Sequence, residues 1–578
     1  MLDGDAYNTR TLRVTVAQPG GPLAGFFETC RTEPNGLTMS IERHFLGWDE
    51  PALPLAADFL IDRYAHAGEL DMSHVILVFP GRRAARRMLE LIVTRCEVRY
   101  PALIPPRMVT FKNFPELLYP QQKRLADDLT QLLVWKRAIG NVPPREIRPA
   151  LTMLPPDNSL PSWMKLCESL RRQHDELAAE GLDFGDVFQT LAGGRQPEET
   201  ARWKALRRIQ AEYLTQMDAL QLWDRQTARL IAVEQNECTT QQDIVLIGTV
   251  DMNGIVKKML SQVADRTTAV VYAPESLSDS FDDWGCLIPK QWEARCIDIP
   301  QECTVVADDP QDQADAVIRQ LAALNGEIRA DEIAIAVADD GLVPVIIQSL
   351  AGAGISGRWP VGSMIRTSRP WRLLDSVASH LATAQSGVAP DFATLADLVR
   401  HPDVSDFIEK QLTLKGVETT DDWLVALDCY QEDHLQTVPG QMLGPRLRAE
   451  LVQHVCDAVE LLLSYLVTAK PAGTNSNQDK RRKAKTTTPH QPQLFATTNE
   501  EGVVHQQLTR RLQLNDWAAG VLEMLNVIYE DYAIGENPGR DQSMCACLDA
   551  LYALNETLSA IHSEVMPKCT AAQAIPVL

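Results

Sequence analysis

The stretch from Ser73 to Val93, SHVILVFPGRRAARRMLELIV, has the clearest hydrophobic pattern in the chain. It opens with five consecutive apolar residues, Val75–Phe79, which indicates a strand buried on both faces. Pro80 and Gly81 end this run, and apolar residues then recur at helical spacing over 85–96. A buried strand, a short loop and an amphipathic helix together predict one unit of a parallel α/β sheet.

The polar face of that predicted helix carries four arginines, Arg82, Arg83, Arg86 and Arg87. They follow the carboxyl end of the strand, where parallel sheets bind their ligands. Because the planar guanidinium group matches the geometry of phosphate, the arginines are candidate phosphate contacts. The alternative is an ordinary solvated helix face, and the residues alone leave both interpretations open.

The alternation of strand and helix extends in both directions from this stretch. A short strand at His44–Leu46 and a helix over 54–66 precede it, since their apolar residues keep the required spacing. From about residue 122 to 235 the spacing is helical almost throughout. Three further strands of the same sheet are predicted at Arg107–Phe111, Asp243–Gly248 and Thr268–Tyr272. The pattern therefore predicts an α/β lobe that contains a large helical insertion.

After residue 300 the alternation returns. Apolar runs at 304–307 and 332–337 predict two more strands. Asp309 followed by Pro310 predicts the start of a helix, and a second helix is predicted over Leu342–Leu350. This order predicts a second lobe of the same kind.

From Pro370 onward the apolar spacing is again helical, and Pro402 is expected to end the helix over Phe392–Arg400. Residues 470–502 have almost no apolar periodicity, which predicts a disordered loop. Its basic run, Lys480–Lys485, could contact DNA or RNA without sequence preference. A solvated insertion is the simpler interpretation of that run.

Composition limits the class of protein. A chain of 578 residues predicts two to four domains. A net charge of -22 argues against a surface that binds nucleic acid everywhere, but it is compatible with a local basic channel. No apolar run approaches the roughly 20 residues of a membrane span, and no signal-peptide pattern opens the sequence. The 12 cysteines include no C-x-x-C, so reduced thiols and a cytoplasmic location are expected.

The sequence argues against nucleotide hydrolysis. The loop after the first predicted strand, Gly47–Pro51, is where a phosphate-binding loop would lie, but it has two acids and no lysine. The motif G-x-x-x-x-G-K-[ST] occurs nowhere in the chain. Asp251 is a lone acid where a hydrolase would carry a pair, and a turn residue or helix cap is the simpler interpretation.

Several segments, taken in their order along the chain, resemble the AddB-type subunit of bacterial double-strand-break repair helicase–nucleases, which are related to UvrD-like helicases. The segments that carry the resemblance are 45–51, 78–87, 105–110, 115–119, 272–276, 312–315, 332–337, 353–356 and 392–402.

The resemblance implies an α/β fold with two RecA-like (P-loop NTPase-like) lobes, each with a large helical insertion. It also implies a PD-(D/E)XK nuclease at the far C-terminus of a full-length relative, for which Mg²⁺ and an iron–sulfur cluster are expected. This chain departs from that pattern. Pro156-Asp157 and Pro402-Asp403 are not followed by a strand with (D/E)-x-K, and no cysteine set matches the cluster. We therefore expect no catalytic, cofactor-binding or metal-binding residue here.

The expected organisation follows from these patterns. Met39 is expected to be the true start of the protein, and the chain is expected to stop inside the second helical insertion. The second lobe would then be incomplete, with an open sheet edge, and the chain a fragment. The expected divisions are a disordered leader (1–38), a first RecA-like lobe (39–275) with its insertion (about 120–240), a partial second lobe (300–370) and a helical insertion (371–578).

The expected function is a non-hydrolysing helicase-like subunit of a double-strand-break repair helicase–nuclease. It would bind single-stranded DNA or duplex ends, and a partner subunit, with no membrane association. The expected phosphate contacts are Arg82, Arg83, Arg86 and Arg87, with Lys112 as a weaker candidate. Two alternatives stay open: an active DNA-dependent ATPase or nuclease subunit, and a scaffold with no role in nucleic-acid binding.

Overall fold

The computed structural model divides the chain into two compact units. The sheet unit comprises residues up to Leu118, Cys238–Met252 and Lys257–Trp292, and the helical unit comprises Tyr119–Glu237, Asn253–Val256 and Glu293–Leu578. The residues that the structure describes are 41–66, 68–96, 102–192, 197–296, 301, 304–330, 333–359, 365–383, 391–417, 422–436, 443–444, 446–468, 504, 507–530, 532, 538–561 and 563–578.

Most strands are short. In the described residues they are β1 (Glu42–Phe45), β2 (Ala65–His66), β3 (Glu69–Asp71), β4 (Val75–Phe79), β5 (Leu103–Ile104), β6 (Arg107–Thr110), β7 (Arg124–Leu125), β8 (Leu222–Trp223), β9 (Asp243–Ile247), β10 (Thr267–Val271), β11 (Leu512–Gln513) and β12 (Lys568–Cys569).

Helices make up most of the rest. In the described residues they are α1 (Ala52–Tyr64), α2 (Arg82–Cys96), α3 (Asp128–Asn141), α4 (Pro144–Ile147), α5 (Leu160–Ala179), α6 (Phe184–Leu191), α7 (Pro197–Ala219), α8 (Arg225–Glu234), α9 (Gly254–Ser261), α10 (Pro289–Glu293), α11 (Pro310–Ala323), α12 (Val343–Gly352), α13 (Arg369–Ala382), α14 (Phe392–Val399), α15 (Pro402–Leu414), α16 (Trp423–His434), α17 (Arg446–Thr468), α18 (Leu514–Tyr529), α19 (Pro538–Ala560) and α20 (Ala571–Ala574).

The sheet unit is built on a five-stranded parallel sheet in the order β1-β10-β9-β4-β6. Strand β4 lies inside it, and all five of its residues are buried. Val75, Leu77 and Phe79 pack in one core with α1 and α2, while Ile76 and Val78 alternate to the opposite face. The prediction of an α/β protein with a parallel sheet and a doubly buried central strand is confirmed.

A large continuous hydrophobic core runs through most helices of the helical unit. It joins Trp135 of α3 and Tyr213 of α7 with Leu398 of α14, Leu462 of α17 and Trp517 of α18. The helices between Tyr119 and Glu237, which the sequence suggested as an insertion in the first lobe, therefore share their core with the helices after Arg369.

The strands predicted at 304–307 and 332–337 are not formed: neither 304–307 nor 333–337 has the hydrogen bonding of a strand. Val305 is 54% and Val306 is 89% exposed. A strand is stable only beside a hydrogen-bonded neighbour, and apolar composition does not supply one. The helices of this region do form, and Asp309 caps α11 by accepting a 2.8 Å hydrogen bond from the backbone N–H of Asp312.

As predicted, the helix before Pro402 stops short of it, since α14 ends at Val399, and Pro402 begins the next helix, α15. Its missing N–H costs nothing at the first helical position, because the N–H groups of the first turn have no partner within a helix. His401 caps this helix, and its Nδ1 accepts a 3.3 Å hydrogen bond from the backbone N–H of Asp403.

Several other predictions fall outside the described residues. These are the leader 1–38, the start at Met39 and the loop 470–502 with its basic run Lys480–Lys485. Among the residues that the structure does describe, no helix has both the length and the apolar character needed to cross a bilayer.

A buried polar cluster lies inside the helical unit. His174 of α5 is 2% exposed, and its Nε2 is 3.5 Å from Oδ1 of Asp224, which is 1% exposed. Asp224 also accepts a 3.2 Å hydrogen bond from the Tyr213 hydroxyl, and it caps α8 through the backbone N–H of Thr227. Gln210 lies 3.0 Å from the other ring nitrogen of His174. The cluster therefore ties α5, α7 and α8 together.

The charges of this cluster stabilise each other. Burial alone would lower the pKa of His174, but its contact with Asp224 and the charge of that carboxylate outweigh burial and raise it. Burial alone would raise the pKa of Asp224, but His174 and the Thr227 hydrogen bonds bring it down to about 2. The Asp224 contribution is present above pH 3.8 and is lost as the pH falls toward 2. The His174 contribution is present below pH 6.5 and is lost as the pH rises through the raised pKa.

We predict that Asp224→Asn lowers the stability of the helical unit by on the order of 3 kcal/mol near pH 6, because it leaves His174 buried without its charged partner. The variant should also lose most of the decline in stability that the wild type shows above pH 6.5. Thermal unfolding followed by circular dichroism between pH 5 and pH 8 measures both effects.

The matched control is Asp218→Asn, which removes a carboxylate that pairs with Lys123 but is 70% exposed. An exposed ion pair contributes at most about 1 kcal/mol, so this variant should unfold close to the wild-type temperature. Equal midpoints for the two variants at pH 6 would contradict the role assigned to the buried pair.

Candidate nucleic-acid interface

The carboxyl ends of the five parallel strands are aligned along one edge of the sheet. Phe45 at the end of β1 pairs with Val271 at the end of β10, and Phe79 at the end of β4 pairs with Thr110 at the end of β6. Between them, Ile247 ends β9 in register with Val270. The five loops that leave this edge, which we call the carboxyl edge, therefore start side by side.

The strand order places a crevice at this edge. After β4 the chain crosses to β6, on one side, whereas after β9 it crosses to β10, on the other. Adjacent strands whose connections leave in opposite directions form a topological switch point, where open α/β sheets bind ligands. Here the switch point lies between β4 and β9, and its loops are Pro80–Gly81 and Gly248–Asp251.

Helix α2 begins at the switch point and brings the four predicted arginines there. Arg82 and Arg83 lie in its first turn, and Arg86 and Arg87 lie one turn further along. All four side chains are exposed, while Ala85, Met88 and Ile92 bury the opposite face of the helix in the sheet core. The sequence pattern thus predicted correctly which face of α2 carries the charge.

The arrangement of these charges is electrostatically unfavourable. The amino end of a helix carries a partial positive charge, which cations destabilise. Like charges three or four residues apart, such as Arg82 and Arg86 or Arg83 and Arg87, also repel each other. The first turn of α2 contains no acidic residue, whereas α3, α6 and α11 each begin with an aspartate cap.

Only part of this repulsion is relieved within the protein. Arg87 forms a 3.0 Å ion pair with Glu90 on the same helix. Arg82, Arg83 and Arg86 have no ion-pair partner among the residues that the structure describes. A bound anion at the amino end of α2 would relieve the repulsion, because it would accept hydrogen bonds from the guanidinium groups and complement the helix dipole.

Lys112 lies on the same carboxyl edge, two residues after Thr110 ends β6. Strand β6 is the immediate neighbour of β4 in the sheet. The structure therefore brings Lys112 and the four arginines to the ends of two adjacent strands. The sequence predicted all five as phosphate contacts, but it could not show that they lie near one another.

Sequence reasoning missed the other half of the carboxyl edge, where large apolar side chains are exposed. Trp48 after β1 is 54% exposed, Tyr272 after β10 is 38% exposed and Val250 after β9 is 53% exposed. Trp48 lies where a phosphate-binding loop would be. Gly47, directly before it, has φ +80°, a conformation that favours glycine, and its N–H donates a 2.9 Å hydrogen bond to the carbonyl of Ala273.

Two further polar groups, Cys286 and Asp251, lie near the switch point. Burial raises the pKa of the Cys286 thiol to about 12, and the thiol donates to the carbonyl of Thr249 at 3.5 Å, so it is no thiolate nucleophile. Asp251 is exposed in the loop after β9, and it is Asn253 whose Oδ1 accepts a 3.4 Å hydrogen bond from the backbone N–H of Val256 at the start of α9. Among the described residues no group of three or more His, Cys, Asp or Glu side chains could hold a metal ion.

Comparison with known proteins adds no assignment: neither a scan against protein-family models nor a search of curated proteins gives a match. The geometry of the carboxyl edge therefore carries the functional argument. That edge combines a cluster of cations with exposed aromatic side chains, a combination suited to a ligand that is both anionic and aromatic.

We predict that the purified chain does not hydrolyse ATP, with or without single-stranded DNA. The loop between β1 and α1 has Asp49 and Glu50 where a lysine and backbone N–H groups would be needed to hold a triphosphate. Phosphate release measured with Mg²⁺ should match a protein-free blank. Magnesium-dependent release that increases with protein concentration would contradict this prediction.

Proposed function

We propose that the chain is a non-hydrolysing, helicase-like subunit of a DNA double-strand-break repair helicase–nuclease, which binds single-stranded DNA and assembles with a partner subunit. The observation that carries the DNA-binding part is the arginine face at the switch point of the parallel sheet, where only Arg87 has an ion-pair partner among the residues that the structure describes. Four exposed guanidinium groups at the amino end of α2 have a phosphate backbone as their natural counter-charge.

The finer fold assignment is part of this proposal. We assign the sheet unit to the first of two RecA-like lobes, and its parallel sheet with a ligand-binding edge supports that assignment. We assign α11 and α12 to a second lobe. Ala314, Ile346 and Leu350 are buried where α11 packs on α12, and this small core, separate from the core that contains Trp135 and Trp517, supports the assignment.

The resemblance to AddB-type subunits supports two parts of the proposal, assembly with a partner subunit and a role in double-strand-break repair. The departures from that family support the non-hydrolysing role, since the phosphate loop and the nuclease motif are both missing from the sequence. DNA would be held by charge rather than by a nucleotide-driven cycle. The overall charge of -22 would confine DNA to the basic part of the surface.

We predict that replacing Arg82, Arg83, Arg86 and Arg87 together by alanine weakens binding of single-stranded DNA at least tenfold at low salt. Each phosphate contact to a single strand contributes about 0.7 to the slope of log affinity against log salt, so the slope should fall by roughly 2 to 3. Fluorescence anisotropy of a labelled oligonucleotide, measured from roughly 50 to 300 mM salt, gives both the affinity at low salt and the salt slope.

A control variant with the same change in net charge is available in the helical unit. Arg145, Arg148, Arg172 and Arg202 are exposed there, and their joint replacement by alanine should leave the salt slope unchanged. If both quadruple variants lose affinity equally, binding reflects overall charge, and the assignment to α2 is wrong. A wild type that binds no DNA even at low salt would favour the scaffold alternative.

A further inference from the structure

We propose that the apolar half of the carboxyl edge is a base-stacking platform, on which Trp48 and Tyr272 stack with the bases of a single strand whose phosphates contact α2. This inference rests on the proposed function and extends it, because it names the second chemical feature of the ligand that the edge recognises. It assigns a role to the position where a nucleotide hydrolase would hold phosphate.

The two aromatic rings are held in place by their own polar groups. Nε1 of Trp48 donates a 2.9 Å hydrogen bond to the carbonyl of Tyr272, and the hydroxyl of Tyr272 donates a 3.0 Å hydrogen bond to the carbonyl of Glu50. The donors are thus satisfied within the protein, while the ring surfaces stay in contact with water. Fixed, exposed rings lose little conformational freedom when a planar ligand stacks on them.

The platform is continuous along three neighbouring strands. Strands β1, β10 and β9 are adjacent in the sheet, and each is followed within three residues by an exposed apolar side chain, Trp48, Tyr272 and Val250 respectively. One such side chain would be unremarkable on a protein surface. Three in a row at the ligand-binding edge of a parallel sheet form a surface that a stacked base would cover.

The basic half of the edge lies close enough for one strand of nucleic acid to contact both halves. Strands β1 and β4 are three positions apart, and neighbouring strands are about 4.8 Å apart, so their carboxyl ends are roughly 14 Å apart. A few nucleotides of a single strand span that distance.

The two halves of the carboxyl edge carry opposite charges, which would direct the phosphates of the ligand to one half. Asp49, Glu50 and Glu275 are exposed beside the aromatic residues, whereas the four arginines and Lys112 follow β4 and β6. The acids repel phosphate from the platform, and the arginines attract it to α2. This division favours a strand in which some nucleotides stack their bases over β1 and β10 while the phosphates of other nucleotides, further along the strand, contact α2.

The test compares two oligonucleotides of equal length, one of thymidine and one whose residues are abasic. Both carry the phosphates that α2 would bind, but only the first has bases. We expect the wild type to bind the thymidine strand more tightly. Stacking contributes about 1 to 3 kcal/mol per base and W48A/Y272A removes two rings, so this variant should lose at least about 30-fold for the thymidine strand and little for the abasic strand.

Conservative variants separate stacking from folding. W48F and Y272F keep a ring at each position and should retain most of the preference for bases, and circular dichroism should show all variants folded.

Equal affinity of the wild type for the two oligonucleotides would overturn the platform while leaving phosphate binding by α2 intact. Failure to bind either oligonucleotide would overturn the proposed function and the platform together. Displacement of the thymidine strand by micromolar ATP would overturn the single-strand assignment in favour of a nucleotide pocket.

Discussion

Repulsion among the four guanidinium groups at the amino end of α2 is the interaction on which the functional account depends. The fold itself does not require it, because the buried face of α2 holds the helix on the sheet through Ala85, Met88 and Ile92. Neutral residues at the arginine positions would remove the repulsion without disturbing that core. The proposed anionic ligand would offset this repulsion, which the fold itself only partly offsets.

The parallel sheet gives this cluster its position. Because parallel strands end together, the loops after β1, β10, β9, β4 and β6 meet along one edge, although they come from distant parts of the chain. The connections divide between β4 and β9, and α2 starts at that division. The resulting edge has cations after β4 and β6 and apolar side chains after β1, β10 and β9.

The sequence was most informative where one local pattern determines the structure. The five apolar residues of β4, the Pro80-Gly81 break and the helical spacing of α2 predicted strand, loop and helix, including the exposed face. The strands at 304–307 and 332–337 could not be predicted in the same way, since pairing depends on a neighbouring strand. The local sequence pattern also could not predict that Trp48 and Tyr272 lie side by side. Their proximity follows from the pairing of β1 with β10, and the two residues are 224 positions apart in the chain.

The central claim is that nucleic acid lies along the carboxyl edge of the sheet unit, and mapping the contacts of a bound strand tests it most directly. A single-stranded oligonucleotide containing bromouracil can be crosslinked to the wild-type protein by ultraviolet light, and the modified peptides identified by mass spectrometry. The account predicts crosslinks in the loops after β1, β4, β9 and β10, with Trp48 and Tyr272 among the modified residues. Crosslinks confined to the helical unit would contradict it.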